Sequence, residues 1–188
     1  MKLKIVLIIL SSVYSFNLLA QGRKSLYKSD YGKNIKWNPL SLSVGSLSLQ
    51  YERFIDTDKS VCTFGYIADY AYGNEIFVAG IGVGYRSYFH DVFVKSFFAE
   101  PFIKYQYITI PSGGIAPGSS ADFNTISAGF TGGRKWLLGK HITTEIYLGP
   151  SYNLGKLDEG NGSVNLPDWF GPVNGIWVRG GLNVGWRY

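Results

Sequence analysis

The sequence predicts an all-β fold, an eight-stranded antiparallel up-and-down transmembrane β-barrel that follows an N-terminal leader. Three observations lead there. Charged residues make up only 16% of the 188 residues, while aromatics also reach 16% and glycines number 24; a soluble domain usually carries about 25% charge. After the leader, no apolar run approaches the ~20 residues that a spanning helix needs. Successive segments instead alternate apolar with small or polar residues, as a strand lying between two unlike media must. A chain that enters a bilayer without helices has to close its strands on themselves, because every backbone polar group needs a partner there.

The leader covers residues 1–20. Lys2 and Lys4 form a basic start, Ile5 to Leu10 begin an apolar core, and Asn17-Leu18-Leu19-Ala20 offers a cleavage site before Gln21. Ser11, Ser12, Ser15 and Asn17 interrupt the apolar run, so removal is expected rather than retention as an anchor. The single cysteine, Cys62, lies well inside the mature chain, which leaves no lipid-attachment site after the leader and no internal disulfide. Residues 21–34 read as a basic, polar periplasmic arm and 35–188 as the barrel. Losing Lys2 and Lys4 lowers the formal charge from +5 to +3. That balance, with no basic cluster on a helix, argues against nucleic acid as a partner.

Eight strands follow in order. The first is expected near Ile35 to Val44 and carries Leu40, Leu42 and Val44 on one face, with Pro39 restricting it to an edge position. Ser46 to Ile55 sets Leu47, Leu49 and Tyr51 against Ser48, Gln50 and Glu52. Ser60 to Tyr72 sets Phe64, Tyr66, Ala68 and Tyr70 against Thr63, Gly65 and Asp69. Ile76 to Phe89 opposes Phe77, Ala79, Ile81, Val83 and Tyr85 to Gly80, Gly82, Gly84 and Arg86. Phe93 to Ile110 opposes Phe97, Ala99, Ile103, Tyr105 and Tyr107 to Glu100, Lys104 and Gln106. Asp122 to Trp136 opposes Ile126, Ala128 and Phe130 to Thr125, Ser127, Gly129 and Thr131. In the segment from His141 to Leu154, Ile142, Ile146, Leu148 and Tyr152 face away from Thr143, Glu145, Ser151 and Asn153. The last segment, Ile176 to Tyr188, puts Val178, Leu182, Val184 and Trp186 opposite Arg179, Asn183 and Arg187.

Short links at Asp56 to Lys59, His90-Asp91 and Leu138 to Lys140 alternate with longer ones at Tyr72 to Glu75, Pro111 to Ala121 and Gly155 to Asn174. One end of a barrel with turns and the other with loops would give this rhythm. A soluble ligand-binding barrel of lipocalin type also alternates, but turns its apolar face inward and its polar face to water. Here the polar face is mostly Gly, Ser and Thr, residues that suit a narrow lumen. Aromatics gather towards strand ends at Tyr70, Tyr72, Tyr105, Tyr107, Trp136, Trp186 and Tyr188, where a headgroup layer would favour them.

The ending Gly181-Leu182-Asn183-Val184-Gly185-Trp186-Arg187-Tyr188 resembles the terminal strand of outer-membrane proteins. That resemblance implies recognition by the barrel assembly machinery, with Tyr188 and Trp186 as the signal. Length, leader and strand rhythm extend it over most of the mature chain, towards small OmpX-like and OmpA-transmembrane-domain-like barrels. Asn38-Pro39-Leu40-Ser41-Leu42 with Tyr51-Glu52-Arg53 is also similar to uncharacterised small barrels common in Bacteroidetes, which implies no known activity.

Glu52, Asp69, Arg86, Glu100, Lys104, Glu145, Arg179 and Arg187 fall on the face read as interior. A charge confined there must be paired, because an unpaired one costs several kcal/mol. A lumenal ion-pair network of Glu52, Arg86, Glu100, Lys104, Glu145 and Arg179 is therefore expected, filling the barrel. His90 and His141 sit at turns, belong to no nucleophile–base motif and form no metal cluster, so neither catalysis nor a metal is expected. Gly80-Ile81-Gly82-Val83-Gly84 lacks the helix and Lys-Ser/Thr of a phosphate loop, so it reads as interior room. In the last long link Asp158, Glu159, Trp169, Phe170 and Pro172 mix acids with aromatics and are candidate contacts for a partner.

The expected role is that of a monomeric, non-enzymatic outer-membrane barrel without a cofactor, in contact with outer-membrane lipid and lipopolysaccharide and acting structurally or through its loops. The alternatives are a narrow solute channel, a lipid A-modifying enzyme and a secreted ligand-binding barrel.

Overall fold

The computed structural model describes residues 32–56, 58–71, 75–89, 95–111, 120–158 and 174–188. They form β1 (Lys33–Trp37), a helical turn α1 (Pro39–Leu42), β2 (Ser46–Phe54), β3 (Lys59–Ala71), β4 (Glu75–Phe89), β5 (Lys95–Pro111), β6 (Ser120–Leu138), β7 (Ile142–Asp158) and β8 (Gly175–Arg187). Each strand pairs antiparallel with the next, and β8 returns to β1, closing an eight-stranded barrel. No helix among the described residues is long and apolar enough to cross a membrane.

The register fixes the dimensions. From Lys36, cross-strand partners run through Gln50, Phe64, Gly82, Lys104, Ser127 and Asn153 to Gly175. Lys36 itself pairs with Gly185, so one circuit slips by ten residues. Eight strands with that stagger tilt by about 40° and enclose a cylinder of about 8 Å radius. Such an interior is only wide enough for side chains to fill it.

The first strand differs from the sequence expectation. It spans Lys33–Trp37, with Ile35 and Trp37 outward and Asn34 and Lys36 buried inside. Leu40, Leu42 and Val44 belong to the link that follows. Pro39 has no N–H to give to a ladder, and instead takes the first helical position. Asn38 caps the turn, its Oδ1 accepting from the backbone N–H groups of Leu40 (3.0 Å) and Ser41 (3.3 Å). Gly45, at φ +74°, then turns the chain into β2, where a side chain would collide with the Asp69 carbonyl. Lys33 and Asn34, read as part of the arm, lie in β1, and the rest of that arm up to residue 31 falls outside the described residues, as does the leader.

The second correction concerns β3, whose faces are the reverse of those read from alternation. Phe64, Tyr66 and Ala68 point inward, and Thr63, Ile67 and Asp69 point outward. Register compels this, because partners share a face and Phe64 lies between Gln50 and Gly82, both interior. The glycine column of β4 supplies the room. A Cβ at Gly82 would lie 2.3 Å from the Phe64 ring, and one at Gly80 would lie 2.5 Å from the Tyr66 ring. Gly129 and Gly133 admit Phe102 and Phe98 in the same way.

Every strand turns large apolar residues outward and leaves them exposed, among them Leu148 (66%), Ile81 (65%), Ile126 (63%) and Ile103 (59%). Trp136, Trp186 and Tyr188 face out at the end where the chain termini enter the barrel, while Tyr105, Tyr107 and Tyr152 lie towards the other end. The interior holds Glu52, Arg86, Glu100, Glu145, Lys36 and Lys135, all nearly or wholly buried. This orientation is opposite to that of a soluble barrel with an apolar lumen.

Candidate functional site

The lumen has two unlike halves. The half nearer the termini is a solid plug organised around Arg86 of β4. Its Nε and Nη2 donate to Glu100 Oε2 at 2.8 and 2.5 Å, and its Nη1 donates to Glu145 Oε2 at 2.8 Å. The Glu52 carboxylate lies 3.7 Å away, and the guanidinium sits 3.8 Å over the Phe98 ring. One cation thus touches acids from β2, β5 and β7. A planar guanidinium with five donors suits this junction better than an ammonium would.

Two lysines complete the charge pairing. Lys36 Nζ bridges Glu145 (2.7 Å) and Glu52 (3.0 Å), and Lys135 Nζ reaches Glu52 at 2.6 Å. Glu52 also accepts from Ser60 Oγ (2.8 Å) and from the Tyr88 hydroxyl, and Asn183 Nδ2 donates to Glu145 Oε1 (2.8 Å). Against the ions, Tyr88 and Phe98 pack with Phe54 and Tyr147. The plug joins side chains from all eight strands and leaves its carboxylates covered on every side.

Of the residues expected in the network, Glu52, Arg86, Glu100 and Glu145 come together here. Arg179 stands at the upper margin, wedged 3.8 Å from the Phe64 ring and 4.5 Å from the Phe102 ring, with Nη1 donating to Glu100 at 3.3 Å. Lys104 stands apart: its Nζ donates to Gln106 Oε1 at 2.8 Å, and Gln106 also accepts from the Tyr66 hydroxyl at 2.7 Å. Asp69, placed inside by alternation, is outside because β3 is reversed. Arg187 is buried with its guanidinium 5.5 Å from the Phe54 ring.

Sequence reasoning missed Lys36, Lys135 and Tyr88. Lys135 was within reach by continuing Thr125, Ser127, Gly129 and Thr131 by twos, and Tyr88 by one step beyond Arg86. Lys36 was hidden by assigning Leu40 and Leu42 to its strand.

The other half of the lumen is open. A cavity of about 780 Å³ lies towards the longer links, bounded below by Phe64, Lys104 and Arg179 and above by α1 and the start of β8.

Asp158 ends β7 opposite Asp122 of β6. Glu159, Trp169, Phe170 and Pro172, like His90, Asp91 and Tyr72, lie outside the described residues. His141 is at the terminus end, its ring stacked 4.9 Å from that of Trp186 and its Nδ1 3.0 Å from the Arg187 carbonyl. Tyr188 closes the barrel through its backbone, donating to Lys33 O (3.0 Å) and accepting from Lys33 N (3.1 Å).

A closed eight-stranded barrel with an apolar outer wall and an ionic interior is the architecture of small outer-membrane proteins. Two solved structures share it. The N-terminal β-barrel domain of OprF from Pseudomonas aeruginosa is 14% identical, with a TM-score of 0.58 over 83% of this chain and 96% of that one. Neisserial surface protein A, NspA, is 12% identical, with a TM-score of 0.52 over 82% of this chain and 92% of that one. No protein-family model matches the sequence, and no curated protein matches it significantly. At these identities the likeness is one of fold.

Proposed function

We propose that this chain is an integral barrel of a Gram-negative outer membrane, exported under a cleaved leader and acting without catalysis, as a structural or surface-contact element through its loops. The orientation of the wall carries this reading. Large aliphatic side chains on every strand face outward, where water would penalise them at roughly 25 cal/mol per Å² and lipid would not. Turning buried charges towards the axis is the complementary choice.

The plug argues for a barrel that does not conduct, since three carboxylates and their cations occupy the axis at the level of Arg86. His141, stacked on Trp186 at the terminus end, lies away from the cavity and from any nucleophile facing it, which argues against hydrolysis of lipid. Tyr188 and Trp186 would serve the barrel assembly machinery during insertion, and the finished molecule would stand as a monomer in contact with lipid and lipopolysaccharide.

Fractionation tests the location. The folded protein should stay with outer membranes through a carbonate wash and migrate differently on gels with and without boiling. Release into the soluble fraction would refute the reading. In planar bilayers the purified protein should give no reproducible conductance steps, whereas steady steps would refute the plug.

A further inference from the structure

The barrel wall is uneven beside the cavity. β1 ends at Trp37, while its neighbours continue, β8 upward to Gly175 and β2 to Ser46. Pairing between β1 and β8 stops at Trp37 and Val184. Among the described residues, no backbone hydrogen bond joins residues 175–183 of β8 to the link 38–45 that stands opposite. α1 stays packed against β8, and at the bottom the Asn38 side chain lies against Gly181, which has no side chain to keep it off, but no ladder closes this seam. Above that point the wall has a notch. One side is Leu40, Ser41 and Val44, the other Trp177, Val178 and Gly180, and all six line the cavity. An unpaired strand edge is costly at membrane depth unless something covers it.

The cavity behind the notch is apolar along its upper walls, with Ile76, Val78 and Ile108 joining the residues of the notch. Its floor is cationic. Lys104 and Arg179 both line it, and among the described residues no acid does. Glu100, the one carboxylate paired with Arg179, is already held by Arg86.

We propose that this half of the lumen binds a single-chain amphiphile with an anionic head group, the head between Lys104 and Arg179 and the alkyl chain leaving through the notch between α1 and β8. The volume falls within the range of about 300–1,000 Å³ typical of small-ligand pockets. Charge selects the head: a carboxylate or phosphate monoester meets an ammonium and a guanidinium whose fork is only partly used by Glu100. The notch selects the tail, because a chain passing between Val44 and Val178 covers the strand edge and stays in apolar surroundings. The inference rests on the lipid-facing orientation proposed above, since a notch is useful to an alkyl chain only where lipid or its fragments lie outside.

Calorimetric titration of the full barrel in phosphatidylcholine bilayers tests it, with decanoate, 1-decanol and inorganic phosphate as probes. Decanoate should bind saturably, one per barrel, and at least tenfold more tightly than decanol or phosphate. Lys104→Met and Arg179→Gln, each first shown to give the heat-shifted folded band, should each weaken decanoate at least tenfold and leave decanol unchanged. Saturable decanoate binding that both variants retain would overturn the site. So would decanol binding as tightly as decanoate, or phosphate as tightly as either. If neither variant folds, the comparison of the three probes on the unaltered barrel still decides. A heat-modifiable barrel that binds no decanoate refutes this site and leaves the membrane reading standing; a protein without the heat shift refutes that reading instead.

Discussion

Arg86 holds Glu100 and Glu145 and approaches Glu52 while exposing about 1% of its surface, so its removal strands three acids at once. Breaking a buried pair by deleting one partner costs about 3–5 kcal/mol. Arg86→Met should therefore lower the urea midpoint strongly, whereas Arg179→Met, losing one partner from a 14% exposed side chain, should shift it less than half as much. Equal midpoints for the two variants would mean that the plug is not organised around Arg86. A second test uses Gly82 and Phe64. Gly82→Val should clash with the Phe64 ring and cost about 1–3 kcal/mol, and combining it with Phe64→Ala should recover part of that loss. Strict additivity in the double-mutant cycle would show that the two side chains do not meet. At this scale the acids of the plug were legible, because Glu52, Glu100 and Glu145 each interrupt a strand face of small residues. Which cation each would meet was not legible. That depends on register, and a one-residue change of register moves a whole strand's side chains to the other face.

At the scale of elements, β2 and β4 to β8 could be read from alternation because one face is apolar and the other small or charged. β3 defeats that reading. Thr63 and Gly65 look interior, and Phe64 and Tyr66 look lipid-facing, yet the glycines at 80 and 82 need bulky neighbours and the aromatic rings supply them. Two glycines at alternate positions on one strand were the available clue, and it pointed to the adjacent strand rather than to their own. The link after β1 was misread as strand, although Asn before Pro is a helix-start signal. Asn38→Ala should cost about 1 kcal/mol through loss of the cap and loosen the contact with Gly181. Faster hydrogen exchange at Leu40 and Ser41 would report it, and unchanged protection there would contradict the cap. Tyr188 joins β8 to β1 by two backbone hydrogen bonds, with Lys33 Nζ 5.9 Å from its ring centroid, so deleting it should lower the yield of folded barrel in the membrane more than it lowers the stability of what folds. The ratio of heat-shifted to unshifted protein, followed by a urea melt of the folded fraction, separates those effects.

For the whole molecule, the ten-residue stagger and eight strands set a bore of about 8 Å radius, and the sequence fills it unequally. Rings and ions pack the terminus half solidly, and the loop half keeps a cavity whose wall is interrupted where β1 is short. Neither the notch nor the cavity could be seen in the sequence. Strand length at β1 was obscured by the apolar residues of α1, and a void is a property of three-dimensional packing rather than of any residue type.

The central physical claim is that the aliphatic wall faces lipid. Nitroxide labels test it most directly when placed, in a Cys62→Ser background, one at a time at Leu49, Ile67, Ile81, Ile103, Ile126 and Ile146 in reconstituted bilayers, with a label at Lys140 in the turn between β6 and β7 as reference. Oxygen, which concentrates in lipid, should relax all six strongly, and a water-soluble nickel chelate should relax only the label at Lys140. Nickel relaxation at the six wall positions equal to that at Lys140 would contradict the claim.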